Sequence, residues 1–331
     1  MDDLEKHKEQ GQEPDNESKE LLETKTEVQP DYDPDDDLVF NISPVAAAFI
    51  GLAGGFFLYQ IIGGFLTILI FGMNLDSVPV NDMRLMTMAG QILFLLLPAL
   101  LFSKWIYTDV GKIIRIRKPK LIETGFFTLG MVILTPLLQV YLYIQNYFIE
   151  ILAKNISFFN SAKSFFDMLN DMVEKAYKNL LATSNIFELL LVVLVVAIVP
   201  AITEESLFRG FIQRSFELKY KKHIAAGITA LFFSLFHANP YGLIPLFVLG
   251  AFFGFAAYKS KTLLVPMFLH FLNNFSAVIL YHTLGDEELI KTDPATSQTE
   301  LASYVMMFFA LTILFAALII LINKYYLKRT T

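Results

Sequence analysis

Long apolar runs alternate with short polar joints along this chain, and many of the runs are too long for a soluble core. Eight of them predict membrane-spanning helices, near residues 45–72, 85–103, 125–146, 186–206, 224–238, 242–258, 263–282 and 302–322. A helix needs about 20 apolar residues to cross the hydrocarbon core. The fifth run is short, which predicts a helix packed inside the bundle. The first carries Gly51, Gly54, Gly55, Gly63 and Gly64, small positions that let helices approach closely. Residues 150–185 follow a different rule. Phe158, Ala162, Phe165, Phe166, Leu169, Met172, Val173, Ala176 and Tyr177 recur at three- and four-residue spacing. That spacing predicts an amphipathic helix at the membrane interface, either a plain connector or a gate over a site. The expected fold class is all-α, a polytopic transmembrane bundle of about eight spans.

Composition agrees. Of 331 residues, 55% are hydrophobic and only 18% charged, against about one-quarter charged in a soluble domain. The net charge of -6 hides an asymmetry. Residues 1–37 hold 15 of the 32 acidic and 4 of the 26 basic residues, a local net of -11 that leaves the rest at +5. Residues 1–40 therefore read as a disordered acidic cytoplasmic tail, too poor in large apolar residues to offset chain entropy. Residues 41–331 read as the transmembrane domain. No cleaved signal sequence is expected, because the first apolar run follows this acidic segment and is too long. The chain has no cysteine, which excludes disulfides, thiolate metal sites and a cysteine nucleophile.

Basic residues orient the spans. Lys104, Lys112, Arg115, Arg117, Lys118 and Lys120 cluster after the second. Arg209, Arg214, Lys219, Lys221 and Lys222 cluster after the fourth. Lys259 and Lys261 follow the sixth, and Lys324, Lys328 and Arg329 follow the eighth. With eight crossings all four clusters share one side, so both termini are expected in the cytoplasm. The expected location is a prokaryotic plasma membrane, with the lipid bilayer as a partner and no nucleic acid.

Polar residues inside the later spans are few, and a charge within a bilayer marks a functional site by default. The fourth span carries Glu204, Glu205 and Arg209, the fifth ends in Phe233 and His237, and the seventh carries His270, Asn273 and Asn274. Residues four apart share a helix face. Glu205 is thus expected to pair with Arg209, while Glu204, about 100° further round, points elsewhere. His270 and Asn274 share a face, with Asn273 turned away into packing. At about 1.5 Å per residue, Glu204, His237 and Asn274 lie roughly 20–22 Å from the nearest cytoplasmic markers, and His270 roughly 14 Å. The four groups can therefore meet at one depth. Other histidines carry no chemistry on this reading: His7 in the tail, His223 in a basic loop, and His282 at the end of a span.

In order, E204-E205-S-L-F-R209, F233-S-L-F-H237 and H270-F-L-N-N274 form EExxxR, FxxxH and HxxxN on successive membrane helices. This pattern resembles the CAAX-protease and bacteriocin-processing family of intramembrane endopeptidases, over roughly residues 185–285. The resemblance implies that Glu204 and His237 activate a water against a peptide carbonyl, and that His270 and Asn274 stabilise the oxyanion. Glu205 and Arg209 are implied as a supporting ion pair. The implied substrate is a membrane-associated protein or peptide. No cofactor is expected. If a divalent metal such as zinc binds instead, its ligands are Glu204, His237 and His270. HExxH and GxSxG are absent, and Gly285-Asp286 falls in an acidic loop rather than in a membrane helix. Two other classes compete: a scaffold of the same fold acting through a partner, and a proton-coupled transporter relaying through Glu204 and the histidines. The transporter has no inverted repeat to support it.

Overall fold

The computed structural model describes residues 40–284 and 298–328, and all secondary structure within them is helical. The acidic tail of residues 1–37, His7 and the Gly285-Asp286 loop lie outside the described residues. Among the described residues nine principal helices follow one another: α1 Pro44–Phe71, α2 Val80–Tyr107, α3 Leu121–Asn155, α4 Ser157–Leu181, α5 Ile186–Glu217, α6 Lys222–Phe236, α7 Leu243–Ser260, α8 Leu264–Leu284 and α9 Gln298–Leu327. Among the described residues, 7 are long and apolar enough to cross a membrane: α1, α2, α3, α5, α7, α8 and α9. The chain is an integral membrane protein of the all-α bundle type.

The expected fifth span is α6, whose 15 residues fall short of a crossing. It packs along α7 through small residues. A Cβ on Gly254 would lie 2.9 Å from the Cβ of Ala226, and one on Gly250 would lie 3.4 Å from the Cα of Ala230. Two rows of small residues, each four apart, let the two backbones approach as in membrane helix pairs. Gly51 and Gly55 do the same for α1, where a Cβ would meet Phe211 at 2.7 Å and Leu207 at 2.8 Å on α5. A large apolar core joins α3, α7, α8 and α9 through Phe127, Leu134, Phe253, Val265, Leu269 and Ile322.

Two further expectations change. The amphipathic helix begins at Ser157, because α3 runs on through Asn155. Its far end is seated by the buried guanidinium of Arg84 on α2, which donates from Nε to Leu180 O at 3.0 Å and from Nη2 to Ala182 O. A cation on the last carbonyls of a helix also complements its dipole. Its first half is tied down where Tyr241 Oη donates to Asp167 Oδ1 at 2.5 Å and Lys163 Nζ to Asp167 Oδ2 at 2.8 Å.

The second change concerns the basic clusters. Arg115 and Arg214 are not surface markers. Both are buried, at 3.4 and 3.5 Å from the equally buried Glu217 Oε2, and Gln213 donates to Glu217 Oε1 at 2.8 Å. Beside them, the segment before α3 is laced to the α7–α8 turn. Leu263 N donates to Arg115 O at 2.8 Å, and Thr262 Oγ1 to Arg117 O at 2.7 Å. These contacts fix where α8 starts, and hence the height of its histidine.

Candidate active site

The local path of α5 is set by Pro200 and by two wide π-helical turns, Val193–Ile198 and Ser206–Ile212. Such turns re-aim side chains and recur at functional sites. Between them stand Glu204 and Glu205. Pro200 has no N–H to offer the Val196 carbonyl in α-helical register. Asn274 on α8 supplies it instead, donating from Nδ2 to Val196 O at 2.9 Å.

Glu205 is fully buried. Its Oε1 accepts from Arg209 Nη1 at 2.9 Å and lies 2.8 Å from His270 Nδ1. The expected Glu205–Arg209 pair is therefore one half of a three-member chain that reaches α8. Arg209 is enclosed. Its Nη2 donates to Gly250 O at 3.0 Å, and its guanidinium lies 4.3 Å from the centroid of the Phe233 ring. One helical turn on, Gln213 donates to Gly254 O at 3.1 Å. The Phe of FxxxH thus covers the Arg of EExxxR. The glycines missed by the sequence reading, Gly250 and Gly254, bare the carbonyls that hold α5 to α7. Their GxxxG spacing was the available signal. A buried ion pair is tolerated only with such added hydrogen bonds.

Glu204 points the other way, as expected, toward His237. Glu204 Oε2 and His237 Nε2 are 4.0 Å apart, too far for a hydrogen bond and within the reach of one bridging water. His237 Nδ1 lies 2.8 Å from Phe233 O. A carbonyl only accepts, so Nδ1 carries the proton and Nε2 presents a lone pair. The same logic applies to His270. With Nδ1 against the Glu205 carboxylate, its open nitrogen is Nε2.

Glu204, His237, His270, Asn273 and Asn274 line one cavity of about 420 Å³. Asn273 is thus in the site and not in packing, and it donates to Asn274 Oδ1 at 3.1 Å. Of the expected His270–Asn274 pair, each member is held by α5 rather than by the other. His282 stays structural, bridging to Thr183 Oγ1 at 2.9 Å. Residues from the first half of the chain also line the cavity, among them Tyr59, Gln60 and Gln91. Sequence reading found none of them. A second cavity of about 640 Å³ between α3, α4 and α8 shares Tyr177, Leu181, Asn273 and Ala277 with the first.

The donors do not fit a three-ligand metal site. Among the described residues no group of three His, Asp or Glu side chains converges in a way that could hold an ion, Glu204, His237 and His270 included.

Residues 186–276 match the family model described as Rce1-like, type II CAAX prenyl endopeptidase. The match spans the helices carrying Glu204, His237, His270 and Asn274, and it agrees with the CAAX-protease and bacteriocin-processing resemblance. No curated protein and no solved structure matches the chain.

Proposed function

We propose that the protein is an intramembrane endopeptidase that hydrolyses a peptide bond in membrane-associated proteins or peptides with a Glu204/His237-activated water. One observation carries the reading: two proton acceptors, Glu204 Oε2 and His237 Nε2, face each other across 4.0 Å at a cavity buried in a membrane bundle. A water between them donates both hydrogens and turns its lone pair outward. That is the geometry of a nucleophile with its general base in place.

The water attacks the carbonyl carbon while its proton passes to Glu204. Collapse of the tetrahedral adduct breaks the C–N bond, and that proton is available to the leaving amine. Asn274 uses one amide hydrogen on Val196 O and keeps a second for the oxyanion. His270 adds a donor from Nε2 when its ring carries both protons. Each well-placed donor of this kind contributes about 3 kcal/mol to the transition state.

New protein N-termini in the membranes of cells carrying wild type or Glu204→Gln, at matched protein levels, test the reading. Products present in wild type and absent in the variant support a protease and identify its substrate. Identical maps from the two strains sink catalysis and leave a partner-binding scaffold.

A further inference from the structure

With neutral imidazoles the two histidines of the site present lone pairs to the cavity, so Asn274 is the donor named so far. A peptide hydrolase gains from more than one donor at the carbonyl oxygen. The first half of the chain, outside the matched residues 186–276, supplies a further one. Tyr59 lies in the π-helical turn Phe57–Gly63 of α1 and lines the same cavity as Glu204. Gln91 lies on α2, immediately before the π-helical turn Ile92–Leu96 and next to Gly90, whose Cβ position is 3.5 Å from the Tyr59 ring. Gln91 is only 7% exposed and lines the same cavity, yet its Oε1 has no hydrogen-bond partner. A buried acceptor left unmade is costly, and in a cavity wall it points to a ligand.

We infer that Tyr59 and Gln91 form a peptide-binding pair, in which the Tyr59 hydroxyl donates to the carbonyl oxygen of the scissile bond and Gln91 Oε1 accepts a substrate backbone N–H. The inference rests on the protease reading and adds a catalytic residue and a recognition residue to it. A phenol beside an orphaned carbonyl offers one donor and one acceptor, the complement of a peptide's C=O and N–H. The two side chains line the same cavity wall, so one ligand can meet both. As water attacks, the carbonyl π pair moves to oxygen and the water proton moves to Glu204. Tyr59 keeps its proton throughout and donates a hydrogen bond to the new oxyanion. On collapse the C–N bond breaks, and the proton held by Glu204 leaves with the amine. The wide turns in α1 and α2 explain how two long apolar helices aim polar side chains at α5.

The test compares Tyr59→Phe, Gln91→Met and Glu204→Gln in the purified full chain in lipid nanodiscs. The substrate is a peptide spanning the bond located by the N-terminus map. For Tyr59→Phe the expected result is a loss of about 10²-fold in kcat with KM unchanged, because the donor is engaged only in the transition state. For Gln91→Met a several-fold rise in KM is expected with kcat nearly kept. Melting temperatures within a degree or two of wild type exclude a packing role for either residue. Wild-type kcat in Tyr59→Phe, with Glu204→Gln inactive, overturns the inference and leaves the protease standing. A Tyr59→Phe variant whose KM and melting temperature shift together marks Tyr59 as packing and overturns it too. Full activity in Glu204→Gln, or no cleaved bond in the map, overturns the protease reading and this pair with it.

Discussion

Glu205 and His270, 65 residues apart in the chain, meet at 2.8 Å through Oε1 and Nδ1 with neither side chain more than 5% exposed. The contact ties the second glutamate of EExxxR to the histidine of HxxxN. It selects which imidazole nitrogen faces the cavity. The adjacent glutamates therefore divide the work. Glu205 orients His270 from behind, while Glu204 stands open to the cavity.

Removing Arg209 leaves the Glu205 carboxylate buried without its cation. Arg209→Ala is expected to cost about 3–5 kcal/mol, as when one partner of a buried pair is deleted. Thermal unfolding in detergent checks this, and a melting temperature equal to wild type would show that Glu205 is not held as an anion.

Gly254→Val drives a branched side chain into Ala226 and Gln213, where a Cβ alone already comes within 2.9 and 2.7 Å. Overpacking of this kind costs about 1–3 kcal/mol. Gly125 has nothing near its Cβ position, so Gly125→Ala is the control and should melt as wild type or higher. Equal melting of the two variants would mean that α6 and α7 separate freely.

Phe233→Leu uncovers Arg209. With the ring face 4.3 Å from the guanidinium in a desolvated setting, the loss is expected near 2 kcal/mol beyond the area term. A double-mutant cycle with Arg209→Met isolates it, and a coupling energy near zero would show that the Phe of FxxxH does not act through the guanidinium.

In the first half of α4, burial pushes the Asp167 carboxyl up, but hydrogen bonds from Lys163 and Tyr241 and the Lys163 charge outweigh it, so the group titrates below its ordinary range. A carboxyl lowered in the folded state stabilises it above the unfolded value of about 3.9 and loses that contribution as pH falls through the folded value. The tether should therefore hold at neutral pH and release only in strong acid. Hydrogen exchange over residues 157–181 should rise in Asp167→Asn at pH 7, and in wild type only below about pH 4. Exchange that rises between pH 7 and 5 would contradict the assignment.

Much was determined by the sequence alone. Apolar run length marks seven of the eight expected spans as crossing helices, because backbone polar groups in lipid must be paired within the helix, while the short run of α6 does not reach across. Residue spacing sets which charges share a face, so the Glu205–Arg209 pair and the opposite heading of Glu204 were legible at once. The motif residues announced themselves because ionisable groups are rare where their solvation is so expensive. What spacing cannot carry is contact between helices. Whether His270 answers to Asn274 or to Glu205 depends on the rotation and height of α8 against α5, fixed by Thr262, the Gly250–Gly254 carbonyls and Asn274 on Val196. Arg115 and Arg214 looked like loop markers because a charge count does not see Glu217 folding in beside them. Tyr59 and Gln91 were invisible among apolar residues of the first half. Only the tertiary structure brings them to Glu204, since a cavity is a property of surfaces facing each other and of no single stretch of chain.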